Sequence, residues 1–252
     1  MVFMSTQRLM ESAILIALLF LMVSCVSSGV DRSGFFGAHR SLNNTSYGYK
    51  IIDDPTGISP VPKIERFEVR AGDCSSNANW SDCTNDRERS EISTNNHSGE
   101  NWYTWSIYFP ENFKTIDPVI VVAGQFLDVR SNSSAFLFRV DEDGYSLFKI
   151  PMEYHYLVEP EDLKGKWHKI EMHVNWSNSS DGFLKIWVNG VKEIDKKFET
   201  AAHQPVFFKY GIYRMNVSDY QDTYGTDIPT QVVYYANVRK AKTREGLSPS
   251  MN

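Results

Sequence analysis

The sequence predicts an all-β fold, a β-jelly roll formed by a sandwich of two antiparallel sheets. Short segments rich in β-branched and aromatic residues recur at even spacing along the chain. Turn residues separate these segments, and Asp143-Gly144 and Asn189-Gly190 are pairs that favour two-residue hairpins. No segment of comparable length has the period of an amphipathic helix. Many short strands joined by such turns are typical of sandwiches and jelly rolls.

The strand pattern repeats through most of the chain. The predicted strands cover 64–70, 102–109, 119–126, 135–140, 145–150, 167–176, 183–188, 207–213 and 230–239. In the strand at 167–176, alternation places Ile170, Met172 and Val174 on one face, which we expect to face the core. In the strand at 183–188, Trp187 lies on the face opposite Leu184. It would belong there to a second buried layer or form a platform for a sugar ring.

The N-terminal residues 1–24 are predicted to be an export signal. Arg8 precedes an apolar run at 13–23, which is too short for a stable membrane span. Ser24 and Cys25 follow this run and resemble a bacterial lipoprotein processing site, in which the cysteine becomes the lipidated first residue. Met22 departs from the leucine that is usual at its position. We therefore expect an exported protein, either secreted or held at a membrane, in the periplasm or at the cell surface, by its lipid anchor alone.

Residues 25–48 are expected to form a flexible tether, because they are rich in Ser, Gly and Asn and lack periodicity. The folded body is expected at 49–245 as one jelly-roll domain, followed by a short tail at 246–252. One domain of this length is common among β-sandwiches.

Two further cysteines, Cys74 and Cys83, lie close together in a polar loop. In an oxidising compartment we expect them to form a disulfide. Two cysteines without a histidine cluster make a poor zinc site, so no metal ligands are predicted.

The charge of the chain argues against a nucleic-acid partner. The formal net charge is −5 at pH 7, and no basic block or stripe is present that would neutralise phosphates. An anionic ligand would therefore need a local basic cleft.

The stretch FFKYGIYR at 207–214 has the composition of an active-site wall. It places Lys209 and Tyr213 on one face of a strand, on either side of Gly211, where a ligand could approach the backbone. The simpler interpretation is a core strand that happens to contain a lysine and a tyrosine.

Two other stretches carry residue types suited to an acidic ligand. In Arg89-Ser90-Glu91-Ile92, the arginine and the glutamate share a strand face, where an ion pair would fix the guanidinium. Gly124-Gln125-Phe126 ends an apolar strand, and a buried glutamine needs hydrogen-bond partners. Taken singly, the first stretch is more simply interpreted as a solvated charge pair, and the second as a core glutamine with satisfied hydrogen bonds.

Together and in this order, the three stretches resemble the alginate lyase and glucuronan lyase group of polysaccharide lyases. The resemblance extends from about Ile64 to Arg239 and includes Trp102-Tyr103-Thr104-Trp105-Ser106, Trp167-His168 and Trp187-Val188-Asn189-Gly190. This combination is most similar to the heparin lyase and glucuronan lyase branch. Such enzymes share a β-jelly roll, a concanavalin-like sandwich, and the resemblance implies the same fold here.

The resemblance also implies roles for the matched residues. Arg89 and Gln125 would neutralise a uronate carboxylate, Tyr213 would act at the glycosidic oxygen, and Lys209 would lie in the same cleft. Further candidate substrate-binding residues are Glu91, Arg214, His97, His155 and Trp187.

The implied reaction is β-elimination on an acidic polysaccharide. A base removes the proton at C5 of a uronate, an enolate-like dianion is stabilised by the neutralising residues, and the oxygen at C4 leaves with a proton. No organic cofactor is implied, and whether calcium helps to hold the cleft stays open.

The sequence departs from the family pattern at Leu127, where several members carry a histidine base two residues after the glutamine. Tyr213 would then serve as both base and acid, which suits glucuronate and mannuronate, because their C5 proton and C4 oxygen lie on the same side of the ring. A tyrosine base needs nearby positive charge, and Lys209 and Arg214 are the predicted sources. Activity could instead have been lost, or another histidine could supply the base; the candidates are His97, His155 and His203.

The leading prediction is an exported polysaccharide lyase that acts as a monomer on a glucuronan or mannuronate-type polymer. Its main rival is a non-catalytic module of lectin-like sandwich fold that binds an acidic glycan. A retaining glycoside hydrolase is disfavoured, because Glu88 and Glu91 would lie on opposite strand faces and form no catalytic carboxylate pair.

Overall fold

The computed structural model describes residues 39–78, 80–149 and 154–248. Its fold is a sandwich of two antiparallel sheets with seven strands each, which confirms the predicted all-β jelly roll. The strands are β1 (His39–Arg40), β2 (Tyr49–Asp53), β3 (Lys63–Val69), β4 (Arg87–His97), β5 (Gly99–Tyr108), β6 (Ile120–Asp128), β7 (Ser134–Asp141), β8 (Gly144–Phe148), β9 (His155–Val158), β10 (Trp167–Trp176), β11 (Phe183–Val188), β12 (Val191–Lys197), β13 (Val206–Met215) and β14 (Gln231–Ala241). Two short helical elements are helix α1 (Ser218–Tyr224) and a 3₁₀ helix (Glu245–Leu247).

The two sheets enclose one aromatic-rich core. Sheet A has the strand order β1-β4-β13-β6-β7-β8-β9, and sheet B has the order β12-β11-β10-β5-β14-β3-β2. Trp105 of sheet B packs edge-on against Phe138 of sheet A, with ring centroids 4.9 Å apart. Such interdigitation of the two inner faces leaves each sheet with an outer face of polar and partly buried side chains.

Alternation along the strands decides which residues reach the core. In β10, Ile170, Met172 and Val174 are fully buried, as predicted from their spacing. Asn189 and Gly190 have positive φ values of 50° and 89° and join Val188 to its partner Val191, so the predicted two-residue hairpin is confirmed.

The second predicted hairpin is displaced by one residue. Asp141 pairs with Gly144, so Glu142 and Asp143 form the turn and the glycine begins β8.

The described fold begins before the predicted start of the body at Tyr49. In β1, His39 lies opposite Ser93 of β4, and Leu42 is only 1% exposed. This stretch, assigned to the tether because of its polar composition, therefore contributes an edge strand to sheet A. Cys25, the predicted lipidation site, lies outside the described residues. Among the described residues, no helix is long and apolar enough to cross a membrane.

Cys74 and Cys83 form a disulfide, as predicted. The loop between them lies beside β4, where the Arg87 amide donates a hydrogen bond to the Asp82 carbonyl at 3.1 Å. The described residues of this disulfide loop, 74–78 and 80–83, thus border the outer face of sheet A, where Asp82 pairs with Arg89.

Candidate active site

The four predicted catalytic residues lie together on the outer face of sheet A, where β4, β13 and β6 are neighbours. Arg89 lies opposite Tyr213, and Lys209 lies opposite Gln125. Residues that are directly opposite in an antiparallel pair project to the same face. The structure therefore places these four side chains on one surface.

Glu91 is the centre of this group. Its side chain is buried, with Oε2 3.1 Å from Lys209 Nζ and 3.2 Å from Arg89 Nη1. Its other oxygen accepts a hydrogen bond from Gln125 Nε2 at 2.6 Å. Three donors thus compensate a buried carboxylate that would otherwise be costly. Glu91 was predicted to contact substrate, but its bonds within the cluster favour an organising role.

Arg89 is held by a second carboxylate that sequence reasoning missed. Its Nε and Nη2 atoms donate to the two oxygens of Asp82 at 2.7 and 2.6 Å, a bidentate pair. Burial acts to lower the pKa of Arg89, but Glu91 and Asp82 outweigh it, so the pKa is raised and the guanidinium stays charged. The only signal in the sequence was the position of Asp82 next to Cys83.

Tyr213 lies against this guanidinium, with Arg89 Cζ 4.0 Å from the ring centroid. Burial raises the pKa of the phenol, and the lowering effects of Arg89 and Arg87 do not offset it. Positive charge does favour the phenolate, as expected, but it comes from Arg89 and Arg87 instead of the predicted Lys209 and Arg214, and burial outweighs it. Of the two predicted sources of positive charge near Tyr213, Lys209 is paired with Glu91.

Arg214, the other predicted source, is not in the cleft. Its side chain is 0% exposed, with Nη2 2.9 Å from Glu88 Oε2 and Nη1 donating to the Pro229 carbonyl at 2.8 Å. Burial lowers the pKa of Arg214 to about 10. Adjacent residues of a strand project to opposite faces, so the neighbour of Tyr213 has to point away from the site.

The sequence suggested that Gly211 leaves an opening for the ligand. The structure does not show such an opening. It has a φ of +133°, and a Cβ built there would lie 2.2 Å from the Ser90 carbonyl oxygen and 2.8 Å from the Phe67 ring. Glycine is required by the backbone conformation of β13 and by its close approach to β4.

The histidines predicted to replace the missing base are elsewhere. His97 is buried with Nδ1 3.2 Å from the Tyr103 hydroxyl, and burial lowers its pKa to about 3. His155 pairs with the core residue Leu147 and so projects to the face opposite the cleft, while His203 lies exposed outside the strands. His97 and His155 are therefore not substrate-binding residues of this cleft.

Leu127 occupies the position that a histidine has in several family members. It lies opposite Phe207 and is nearly buried, on the same outer face as Gln125. The base position is therefore filled by an apolar side chain.

A cavity of about 500 Å³ adjoins the cluster and is lined in part by Arg89, Lys209 and Trp80 of the disulfide loop. Among the described residues that line it, His39 is the one histidine. Sequence reasoning missed His39 because it belonged to the supposed tether. No group of three or more His, Cys, Asp or Glu in the described part of the chain is placed to hold a metal ion.

Trp187 lies on the outer face of sheet B, on the other side of the sandwich from Tyr213. Its ring stacks on Trp102 with centroids 5.4 Å apart, and Arg244 Cζ lies 5.1 Å from its centroid. It belongs to a partly exposed stack and is not a substrate contact of this cleft, contrary to the prediction.

A sequence profile of a family described as polysaccharide lyase matches residues 39–239. Among solved structures, the chain is similar to an endo-β-1,4-glucuronan lyase from the fungus Trichoderma reesei, at 14% sequence identity and a TM-score of 0.61, over 88% of this chain and 98% of that one. It is also similar to an alginate lyase from Corynebacterium sp., at 16% identity and a TM-score of 0.52, over 81% of this chain and 93% of that one.

A third similar structure is the catalytic domain of a glycoside hydrolase family 131 protein from Coprinopsis cinerea, at 12% identity and a TM-score of 0.54, over 84% of each chain. No curated protein sequence matches significantly. At these identities the structural likeness concerns the fold, which carries lyases and a hydrolase alike, so the chemistry has to be argued from the site.

Proposed function

The chain belongs to the polysaccharide lyase family, and on this basis we propose that it cleaves a glucuronan or mannuronate-type polymer by β-elimination. The observation that carries the proposal is the buried cluster in which Glu91 holds Arg89, Lys209 and Gln125 in one arrangement beside Tyr213. A preorganised set of donors next to a tyrosine is what stabilisation of a developing carboxylate dianion requires.

Lys209 and Gln125 are the groups that meet the sugar carboxylate in this proposal. The ammonium of Lys209 has three donors and the amide of Gln125 has two, and each uses one on Glu91. The remaining donors are the ones that this proposal assigns to the uronate carboxylate. Arg89 is already engaged by Asp82 and Glu91, so its part is to hold positive charge against Tyr213.

Tyr213 carries both proton transfers. As phenolate it takes the proton from C5, the electrons of that bond form the double bond between C4 and C5, and the bond from C4 to the glycosidic oxygen breaks. The phenol then returns the proton to the departing oxygen, so the tyrosine ends as it began. Because Leu127 occupies the family's histidine position, this proposal leaves both transfers to Tyr213.

We also propose that the protein works outside the cytoplasm, as a monomer, with residues 1–24 as export signal and Cys25 as lipid anchor. The disulfide between Cys74 and Cys83 supports an oxidising compartment.

A non-catalytic module that binds an acidic glycan is the second candidate. Two observations favour it: Leu127 replaces the usual base, and burial raises the pKa of Tyr213. Such a module would bind the same polymers without cutting them.

The test is to mix the protein with polyglucuronate, polymannuronate and polyguluronate and to follow the ultraviolet absorbance of the unsaturated product. We expect product from the first two. Tyr213→Phe should lower the rate by at least about 100-fold, the scale of a lost general acid–base group. Tyr224→Phe, on the exposed side of α1, is the matched control and should act as wild type. Binding without product would establish the binding module, and full activity in Tyr213→Phe would exclude the assigned role.

A further inference from the structure

We propose that Arg139 and the aromatic side chains beside it form a subsite for a second acidic sugar, next to the bond that is cleaved. The proposal rests on the proposed function, because it takes the polymer to lie across the outer face of sheet A. No motif in the sequence pointed to Arg139.

Arg139 lies in the same row of the sheet as Tyr213. It is opposite Val122 of β6, and Val122 is opposite Tyr213 of β13. Its neighbours Phe138 and Val140 are buried in the core, so Arg139 projects to the outer face. Two strand spacings, about 10 Å, separate the backbones of Arg139 and Tyr213. Arg139 is therefore placed to meet a sugar adjoining the one on which Tyr213 acts.

The guanidinium of Arg139 lacks the carboxylate partners that Arg89 has. Among the described residues, no carboxylate lies within ion-pair distance of it, and its Nε is buried without a hydrogen-bond partner. Burial lowers the pKa of Arg139 from its usual high value, against the opposing influence of Asp141, and an arginine remains charged. A partly buried cation without a carboxylate partner is better stabilised once an anion binds it.

The charges of the catalytic cluster strengthen this argument. Arg89 and Lys209 are balanced by Asp82 and Glu91, so these four side chains together carry no formal net charge. Attraction of a polyanion to this face therefore depends on cations outside the cluster, and Arg139 is one that forms no ion pair with a described carboxylate.

Aromatic rings complete the subsite. Arg139 Cζ lies 4.8 Å from the Tyr154 ring centroid and 5.7 Å from that of Phe148. Tyr154 and Tyr156 are 40% and 38% exposed, and their rings are nearly parallel, 6.4 Å apart. Exposed aromatics beside a charged group offer an apolar surface to a sugar ring while the guanidinium takes its carboxylate.

Binding should be measured by calorimetry in the Tyr213→Phe background, which prevents turnover. The ligands are a tetraglucuronate and the same oligosaccharide with its carboxylates reduced to alcohols. Arg139→Gln should weaken tetraglucuronate binding by at least about tenfold, as for a lost hydrogen bond to a charged group. It should leave binding of the reduced ligand unchanged, and Arg139→Lys should recover part of the loss. Arg244→Gln, which removes a cation over aromatic rings on sheet B, is the matched control and should bind as the parent does.

Unchanged affinity of Arg139→Gln for tetraglucuronate would overturn the subsite, as would an equal loss for both ligands, which indicates a structural effect. Cleavage by the otherwise unchanged protein is followed in parallel. If it fails while the dependence on Arg139 persists, the lyase proposal falls and the subsite stands. If no acidic ligand binds the parent at all, both are overturned.

Discussion

Tyr213 is buried beneath the guanidinium of Arg89, and these two facts act on its pKa in opposite directions. Burial raises the pKa, Arg89 and Arg87 lower it, and Glu91 raises it again. The balance is a phenol that holds its proton above its ordinary pKa near 10. At neutral pH only a small fraction of the enzyme would therefore carry the phenolate that abstracts a proton.

This balance predicts an alkaline enzyme. The phenolate fraction rises tenfold for each pH unit below the pKa, so kcat/KM should rise by about tenfold per unit between pH 7 and pH 9 without a plateau. Rates of product formation on polyglucuronate, measured across this range, test the prediction. A plateau near neutral pH would show that another group with a lower pKa is the base.

His39 is the natural control for that experiment, because it lines the adjoining cavity. Its strand pairs with β4 at Ser93, which in turn is opposite Lys209 of β13. The histidine backbone is therefore about 10 Å across the sheet and about 13 Å along it from Tyr213. We expect His39→Gln to keep both the rate and the pH profile. If the pH profile of the parent has a plateau near neutral pH and that of His39→Gln does not, His39 is the base.

Strand alternation explains which site residues could be read from the sequence. Arg89, Glu91, Lys209 and Tyr213 occur at even spacing on their strands, and the structure places them on one face. The same rule excludes Arg214, which is adjacent to Tyr213 in β13 and therefore projects to the opposite face. Asp82, His39 and Arg139 come from a loop, an edge strand and an unremarkable apolar strand, and only the strand pairing shows that they approach the site.

At the level of elements, most interior strands were predictable, whereas the edge strands and the interior strand β4 were not among the predicted strands; of β4 only the stretch Arg89–Ile92 was recognised. Strand β10 has alternating buried residues throughout and was predicted with its observed bounds. In β12 only Ile194 is buried, so no alternating pattern marks this edge strand in the sequence. Strand β1 is two residues long and pairs with β4. Edge strands of this kind are defined by tertiary contacts, which single-sequence patterns do not contain.

The disulfide loop is the element whose function can be tested most directly. The disulfide holds Asp82 at the base of a short loop, and Asp82 holds Arg89 against Tyr213. Cys74→Ser/Cys83→Ser should therefore lower kcat/KM by about tenfold or more, while the sandwich still unfolds cooperatively, because freeing the loop raises its conformational entropy.

A double-mutant cycle separates this mechanism from a general loss of stability. If the disulfide acts through Asp82, adding Asp82→Asn to the cysteine variant should cost little more activity than either change alone. Circular dichroism confirms the fold of each variant. Additive losses of activity would show that the disulfide and Asp82 act independently.

On the scale of the whole molecule, the packing of one sheet on the other was implied by composition and by strand period. What the pattern could not show is which polar groups the core would enclose. His97 and His168 are both almost fully buried, and burial lowers the pKa of each, to about 3 for His97. Burial raises the pKa of Glu88. This carboxyl therefore changes the free energy of unfolding with pH in the direction opposite to the histidines.

These buried histidines predict that the fold loses stability in weak acid. The unfolded chain binds a proton at His97 below about pH 6.5, whereas the folded chain does so only near pH 3, so the free energy of unfolding should fall as pH decreases between these values. A group that is protonated only in the unfolded chain changes the free energy of unfolding by about 1.4 kcal/mol per pH unit. Denaturant unfolding at several pH values from 4.5 to 6.5 should therefore show a shallower slope for His97→Gln than for the parent. His203→Gln, which removes an exposed histidine, should keep the parental slope. Parallel slopes for the parent and His97→Gln would mean that His97 is protonated in the folded protein and that the buried site admits its charge.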